Sequence, residues 1–398
     1  MGQVSGDFFV NNRSGLLFGL WFSLALPSIA VFKKAGGEWA LAYFIFSLVG
    51  VWAVTALFRL AQRRIAIRWG LRGLATLCAL SATVTFFVVH PIIDETGIRV
   101  GAVEVGASDT DDAIDVGISA LLAGKNPYRE STFLGNPLTP LPGAFLMASP
   151  FYLLKNSALQ NLFWIGLLIL LFARTVGRPA SASALLILLI LGSPCVLYRI
   201  VQGGDYFSNN IYILLAMMAL WKGSPERGTF WLPAAVFAGI AYASRPNFLF
   251  LGPMMLLLLS RKYSWRHSFR IHMISGATFC LLVLPFWIHD PSSFSPLHLA
   301  EKVEFGSFGS ILRWMVPAVG LTVSVMFGMW GDEGDNCALF RYAFWIQLLM
   351  VFMVMLFASI HAGHLRWYAE PVLAFLFMFF GVYGYGVPLF RKLVESGI

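Results

Sequence analysis

Residues 109 to 143 read DTDDAIDVGISALLAGKNPYRESTFLGNPLTPLPG, so four aspartates stand ahead of a short apolar run that Gly124 and Pro127 bring to an end. At helical spacing Asp111 and Asp115 share one face, and Asp112 lies about a turn from both Asp109 and Asp115. Crowded carboxylates repel one another and hold a proton more readily than isolated ones. A cluster of this kind suits a general base, and it also leaves room for a divalent cation. The cationic candidates are Arg245, in SRPN, and Arg366, in HAGHLRWYAEP, because a fixed guanidinium grips two phosphate oxygens at once. His364 and Tyr368 stand beside Arg366 as further hydrogen-bonding groups. His361 and His364 have the spacing of a metal pair but lack the adjacent acid of an HExxH helix, so no metal site is assigned. Arg199 and Asp205, flanking QGG, read as a local ion pair.

The elements that must position these groups are membrane helices. Of 398 residues, 58% are hydrophobic and 12% charged, with a mean hydropathy of +0.74, far outside the soluble range. The net charge of +8 belongs mainly to loops facing the cytoplasm and anionic lipid, and no basic run is interleaved with aromatics as nucleic-acid binding would require. Cys78, Cys195, Cys280 and Cys337 are scattered without ligand spacing and read as ordinary thiols. The run from 15 to 32 lacks a basic n-region and is expected to be a retained first helix.

Several apolar runs are nearer 15 residues than the roughly 20 needed to span, the length of re-entrant or broken helices beside a cavity. The pair covering 140 to 173, crowded by Pro137, Pro140, Pro142 and Pro150, is expected to contain one such helix. The densest basic loops, RLAQRRIAIRWGLRG and RKYSWRHSFR, orient the chain with both termini cytoplasmic and residues 91 to 139 outside. This scheme gathers five outer stretches: the acidic loop, the turn from Tyr198 to Asn210, SRPN, HDPSSFSPLHLAEKVEF, and His361 to Pro371.

On those residues the chain resembles the GT-C superfamily of polyprenyl-phosphate-sugar-dependent glycosyltransferases, and within it glycosyltransferase family 87 and the GPI mannosyltransferase I family. DTD at Asp109 to Asp111 fits their DxD, GKNPY at Gly124 to Tyr128 fits their G-x-[NS]-P-Y, and NPLTPL at Asn136 to Leu141 fits the segment that leads into the next helix. GIAYASRPNFLFLGP and HLRWYAEP resemble two later family segments. Gly135 and Asn136 replace the family's usual aromatic pair. The first two helices, within residues 1–70, look like additions ahead of a catalytic domain at 71–390, followed by a tail at 391–398.

The resemblance implies an all-α polytopic protein, a GT-C-like bundle of about 10–12 transmembrane helices with several short or broken ones. It implies a plasma-membrane enzyme that moves mannose or another hexose or pentose from a polyprenyl-phosphate donor to a lipid or glycan acceptor of the cell envelope, on the extracytoplasmic face. Asp111 is then the first choice as base, Asp109 the second and Asp112 the third. Asp115, Asn126, Tyr128, Arg245, His364, Arg366 and Tyr368 would bind substrate. No cofactor is assigned. Two alternatives stay open: a transporter or flippase of a lipid-linked glycan, and an enzyme like the O-antigen polymerases and ligases.

Overall fold

The computed structural model describes residues 12–33, 36–95, 98–100, 103–105, 109–223, 230–297, 309–332, 334–364 and 375–396. The chain is helical, and its one sheet among the described residues is a two-stranded antiparallel hairpin, β1 (Ile98–Val100) with β2 (Val103–Val105), at the end of the third helix. Five described helices are long and apolar enough to cross a membrane, or six if one sharply bent pair counts as a single span. The protein therefore has the architecture of a polytopic membrane protein. Three shorter apolar helices accompany these spans.

Burial sorts the helices into an outer layer and a centre. The helices α2 (Gly37–Arg63) and α3 (Ile65–Glu95) bury only 22% and 28% of their apolar windows and turn Trp39, Phe46, Trp52, Leu77 and Phe87 outward. A helix apolar all round that leaves most of itself uncovered faces lipid. Helix α1 (Arg13–Lys33) packs against α2 and against the last helix, α15 (Phe375–Glu395). The expected boundary at residue 70 falls inside α3, which begins at Ile65, and the first two helices are packed into the bundle.

After the outer loop come α4 (Asp112–Leu122), α5 (Pro142–Leu153), α6 (Leu159–Val176), α7 (Pro179–Leu191), α8 (Pro194–Gln202) and α9 (Tyr206–Lys222). Helix α5, with 12 residues, rises about 18 Å, well short of a roughly 30 Å hydrocarbon core. It is the short helix expected within 140–173, while α6 is a candidate full span. Helices α7 and α8 are bent by 79° at Gly192–Ser193, where Pro194 cannot continue the ladder. Thirteen of the 17 residues of α9 are buried, which puts it at the centre, against α6, α15 and α10 (Trp231–Tyr242). The remaining helices, α11 (Gly252–Lys262), α12 (Trp265–His289), α13 (Gly309–Trp330) and α14 (Asn336–Ala362), extend this packing on the far side. Cys78, Cys195 and Cys337 are buried thiols and Cys280 is exposed.

Candidate functional site

The site is built where the acidic loop is pressed onto the turn between α8 and α9. Gly203 ends α8 at φ 77°, a left-handed conformation that favours glycine, and the chain then passes through Gly204 and Asp205 into α9. This turn is not a solvated connector. Arg199, Gln202, Asp205, Ser208, Asn209 and Asn210 are all buried, where an unpaired polar group is costly and most of theirs find partners within the protein. Asn161 on α6 donates to the Gly204 carbonyl at 3.2 Å and accepts from Ser208 Oγ at 2.6 Å. Arg199 donates to Gln202 Oε1 at 2.7 Å.

Asp205 and Arg245 anchor the floor of the site. Arg245 Nε donates to Asp205 Oδ2 at 3.1 Å and Nη2 donates to Oδ1, a bidentate pair whose side chains are 3% and 1% exposed. Nη1 reaches Thr139 Oγ1 and the Tyr206 hydroxyl, each at 3.0 Å, and the guanidinium lies 3.8 Å from the centre of the Tyr206 ring. Asn209 Nδ2 donates to Asp205 Oδ2 at 2.8 Å. Two sequence expectations change here. The ion pair of Asp205 is with Arg245, from a turn forty residues away, and not with Arg199. Arg245, expected to grip phosphate, has its guanidinium on Asp205, Thr139 and Tyr206.

Over this floor lies Asp111, at the start of α4 and buried. Its Oδ2 is 3.5 Å from Nε2 of His90, the residue that closes the exposed apolar run of α3. His90 Nδ1 is 2.9 Å from the Val201 carbonyl. A carbonyl only accepts, so Nδ1 carries the proton in that contact and Nε2 is the atom turned to the carboxylate. Phe86, one turn back on α3, stacks on the imidazole at 4.9 Å and 9° and fixes its plane. Gly203 makes the approach possible, since a Cβ there would stand 2.8 Å from Asp111 Oδ2 and 2.9 Å from His90 Cε1. Thr110 Oγ1 adds a bond to the Gln202 carbonyl at 3.2 Å.

The neighbouring aspartates do different work. Asp109 Oδ2 accepts from Thr132 Oγ1 at 2.6 Å and from Asn136 Nδ2 at 2.8 Å, and Asp112 Oδ2 accepts from the Phe133 amide at 2.8 Å. Both fasten the loop that follows α4. Asn126 Oδ1 accepts from the Tyr128 amide at 3.1 Å and starts a short turn, Pro127–Arg129. Tyr128 is buried against Phe145, Phe286 and Phe294, and its hydroxyl donates to the Pro140 carbonyl at 3.0 Å. Burial pushes its phenol well above the usual value, so it remains a neutral donor. GKNPY is therefore a fastening element, which pins the loop to α5 and α12. Arg129 completes the strap by pairing with Asp290 at 2.8 Å, and hydrogen bonds from Ser293, Ser292 and Arg129 hold the Asp290 carboxyl well below the usual carboxylate range.

Asp115 opens elsewhere. With Asp112, Ser119, Lys125, Glu130 and Tyr152 it lines a cleft of about 380 Å3 along the outer face of α4. Four of the five stretches read as outward-facing are thus joined through the 109–140 loop: the acidic loop itself, the α8–α9 turn through Thr110 and Gln202, SRPN through Arg245 and Thr139, and the segment after α12 through Asp290 on Arg129 and Ser295, whose hydroxyl donates to the Leu138 carbonyl. Of the fifth, His364 is exposed just past α14, while Arg366 and Tyr368 lie outside the described residues. Among the described residues no three of His, Cys, Asp and Glu converge as metal ligands.

Sequence reasoning missed His90 and Gly203. The available signals were a histidine ending a long apolar run and a Gly-Gly pair beside an acid, and neither says which distant carboxylate will arrive. Compared with known proteins, the chain matches no family, no curated protein and no solved structure.

Proposed function

We propose that the chain is an integral-membrane glycosyltransferase that takes a sugar from a polyprenyl-phosphate donor at the outer membrane face, with Asp111 as general base. The observation that carries this reading is the position of Asp111: a loop carboxylate, buried, held beside His90 and seated on a polar floor in an otherwise apolar bundle. The acceptor hydroxyl gives its proton to Asp111 while its oxygen attacks the anomeric carbon. The bond from that carbon to the phosphate oxygen breaks, and the polyprenyl phosphate leaves with the bonding pair. Attack through an oxocarbenium-like state needs a base within hydrogen-bond reach of the hydroxyl and a cation near the departing phosphate.

His90 is a positioning residue in this scheme, because it touches the carboxylate and not the sugar. Asp109 and Asp112 hold the loop that carries Asp111. With the guanidinium of Arg245 on Asp205, the phosphate clamp falls to Arg366, with Tyr368 and His364 beside it. The cleft along α4, lined by Asp112, Asp115, Ser119, Glu130 and Tyr152 and not by Asp111, suits hydroxyls of a glycan acceptor beyond the one that reacts. A bundle of about 10–12 spans would follow if the short helices also cross the bilayer as broken spans.

The test is incubation of the purified protein with a panel of radiolabelled polyprenyl-phosphate sugars, reading release of polyprenyl phosphate. Transfer by the wild type and its loss in Asp111→Asn support the reading, and transfer that survives in Asp111→Asn overturns it. One observation favours the transporter alternative: the Asp205–Arg245 pair is an ionisable couple buried inside the bundle. Movement of a lipid-linked glycan across vesicles without sugar release would select that alternative.

A further inference from the structure

A groove of about 470 Å3 runs along the outside of the bundle, between α3, α6 and α7. One wall is the α3 face carrying Arg72, Thr76, Ala79 and Thr83, and the opposite wall includes Ala182 and Ser183 of α7. Small side chains on both walls leave a channel. The Thr76 hydroxyl donates to the Arg72 carbonyl at 3.0 Å, so its polar group is satisfied within the helix. At one end Arg72 lies 5.1 Å from the centre of the exposed Trp69 ring. Arg59, Arg63, Arg64 and Arg68 crowd the same end, around the α2–α3 junction. None of these five arginines pairs with a carboxylate among the described residues.

We propose that this groove binds one anionic membrane phospholipid, with an acyl chain between α3 and α7 and the headgroup phosphate on Arg72. The dimensions fit a single leaflet. From Arg72 to Thr83 the helix rises about 16 Å, against about 15 Å for half the hydrocarbon core. Charge fits as well, since a basic cluster at the end of a membrane helix attracts acidic headgroups, and a tryptophan beside it is the usual residue at headgroup depth. The site is also remote from the one around Asp111. Arg72 and His90 stand eighteen residues apart on one helix, about 27 Å, so they lie near opposite membrane faces.

The experiment uses the full chain in detergent, presented separately with phosphatidylglycerol, phosphatidylcholine and undecaprenyl phosphate, with retained lipid counted by native mass spectrometry. One phosphatidylglycerol per chain should be retained, about fivefold over phosphatidylcholine, the contribution of one basic residue near an anionic headgroup. Arg72→Gln should lower retention by about the same factor. Ala79→Leu and Ser183→Leu, which fill the groove from its two walls at lipid-facing positions, should each do so too, with thermal unfolding unchanged. Retention lost in Arg72→Gln but kept in both groove-filling variants overturns the proposal, because the lipid then only adsorbs to the basic surface. Equal retention of phosphatidylcholine overturns it, and so does displacement of phosphatidylglycerol by an equal concentration of undecaprenyl phosphate. Should Arg72→Gln fail to fold, the two groove-filling variants decide.

Discussion

Arg245→Ala separates a structural guanidinium from a substrate-binding one. The substitution leaves the Asp205 carboxylate, 1% exposed, without its bidentate partner, and removes the bonds to Thr139 and Tyr206 together with the contact to the Tyr206 ring. Breaking a buried pair from one side costs about 3–5 kcal/mol, because an uncompensated charge stays behind. The two hydrogen bonds to Thr139 and Tyr206 are charge-assisted and would add about 1.5–3 kcal/mol each if they were independent, but contacts that share one guanidinium do not add, so about 4 kcal/mol, the middle of the pair's range, is the working figure. Arg245→Ala/Asp205→Ala should recover part of this, since neither charge is then stranded. Arg245→Lys should fall between, keeping the charge and losing the fork. Equilibrium unfolding in mixed micelles, followed by helical circular dichroism, measures all of these in one series. If Arg245→Ala costs under about 1 kcal/mol and instead raises the KM for the lipid-phosphate donor tenfold or more, the guanidinium serves substrate and the reasoning fails.

Asp111→Asn should lower sugar transfer at least about 100-fold with the fold intact, the scale of general-base catalysis, whereas Asp109→Asn should act mainly by loosening the 131–137 loop, at about 1–3 kcal/mol. Comparable losses of turnover in both, at equal stability, would remove the distinction between base and fastener. Gly203→Ala forces a left-handed alanine, at about 1–2 kcal/mol, and sets a methyl against Asp111 and His90, so transfer should drop further than thermal stability does. For Asp290, a carboxyl held below its unfolded value stabilises the strap at neutral pH, and that contribution is lost only as pH falls through the depressed value. Amide protection at residues 128–130, taken relative to the intrinsic exchange rate at each pH, should accordingly stay constant as pH is lowered to about 4, the ordinary carboxylate value, and Asp290→Asn should lower it throughout.

What the sequence disclosed was set by range. The helical membrane class follows from composition, the short α5 from four nearby prolines, and α4 with its glycine stop from local spacing, all within a few residues of chain. The roles of the acids were not local. Asp109, Asp111 and Asp112 look alike in DTDD, yet Asp111 alone turns onto the α8–α9 floor, because the start of α4 points it there while Thr132, Asn136 and the Phe133 amide claim its neighbours. Arg245 read as a phosphate ligand because a fixed guanidinium can grip two phosphate oxygens. Its partner is the aspartate after QGG, brought over by the packing of α9 on α10. Tyr128 belongs to a motif that resembles a substrate-binding one, and its burial among three phenylalanines depends on α12, far along the chain.

Helix α3 also couples the protein to bilayer thickness. This single helix carries Arg72 near one end and His90 near the other, and its one proline, Pro91, costs the ladder only the bond to the Phe87 carbonyl in the last turn before it. An α-helix is stiff along its axis, so the rise from Arg72 to His90 is fixed by the chain and not by the surrounding lipid. A thinner or thicker membrane has to be met by tilting the whole helix or by deforming the bilayer around it. Because α3 packs on α7 and α8, any such tilt passes to the turn that seats Asp111. The helix works as a strut between the two membrane faces, and the loop carboxylate rests on one end of it.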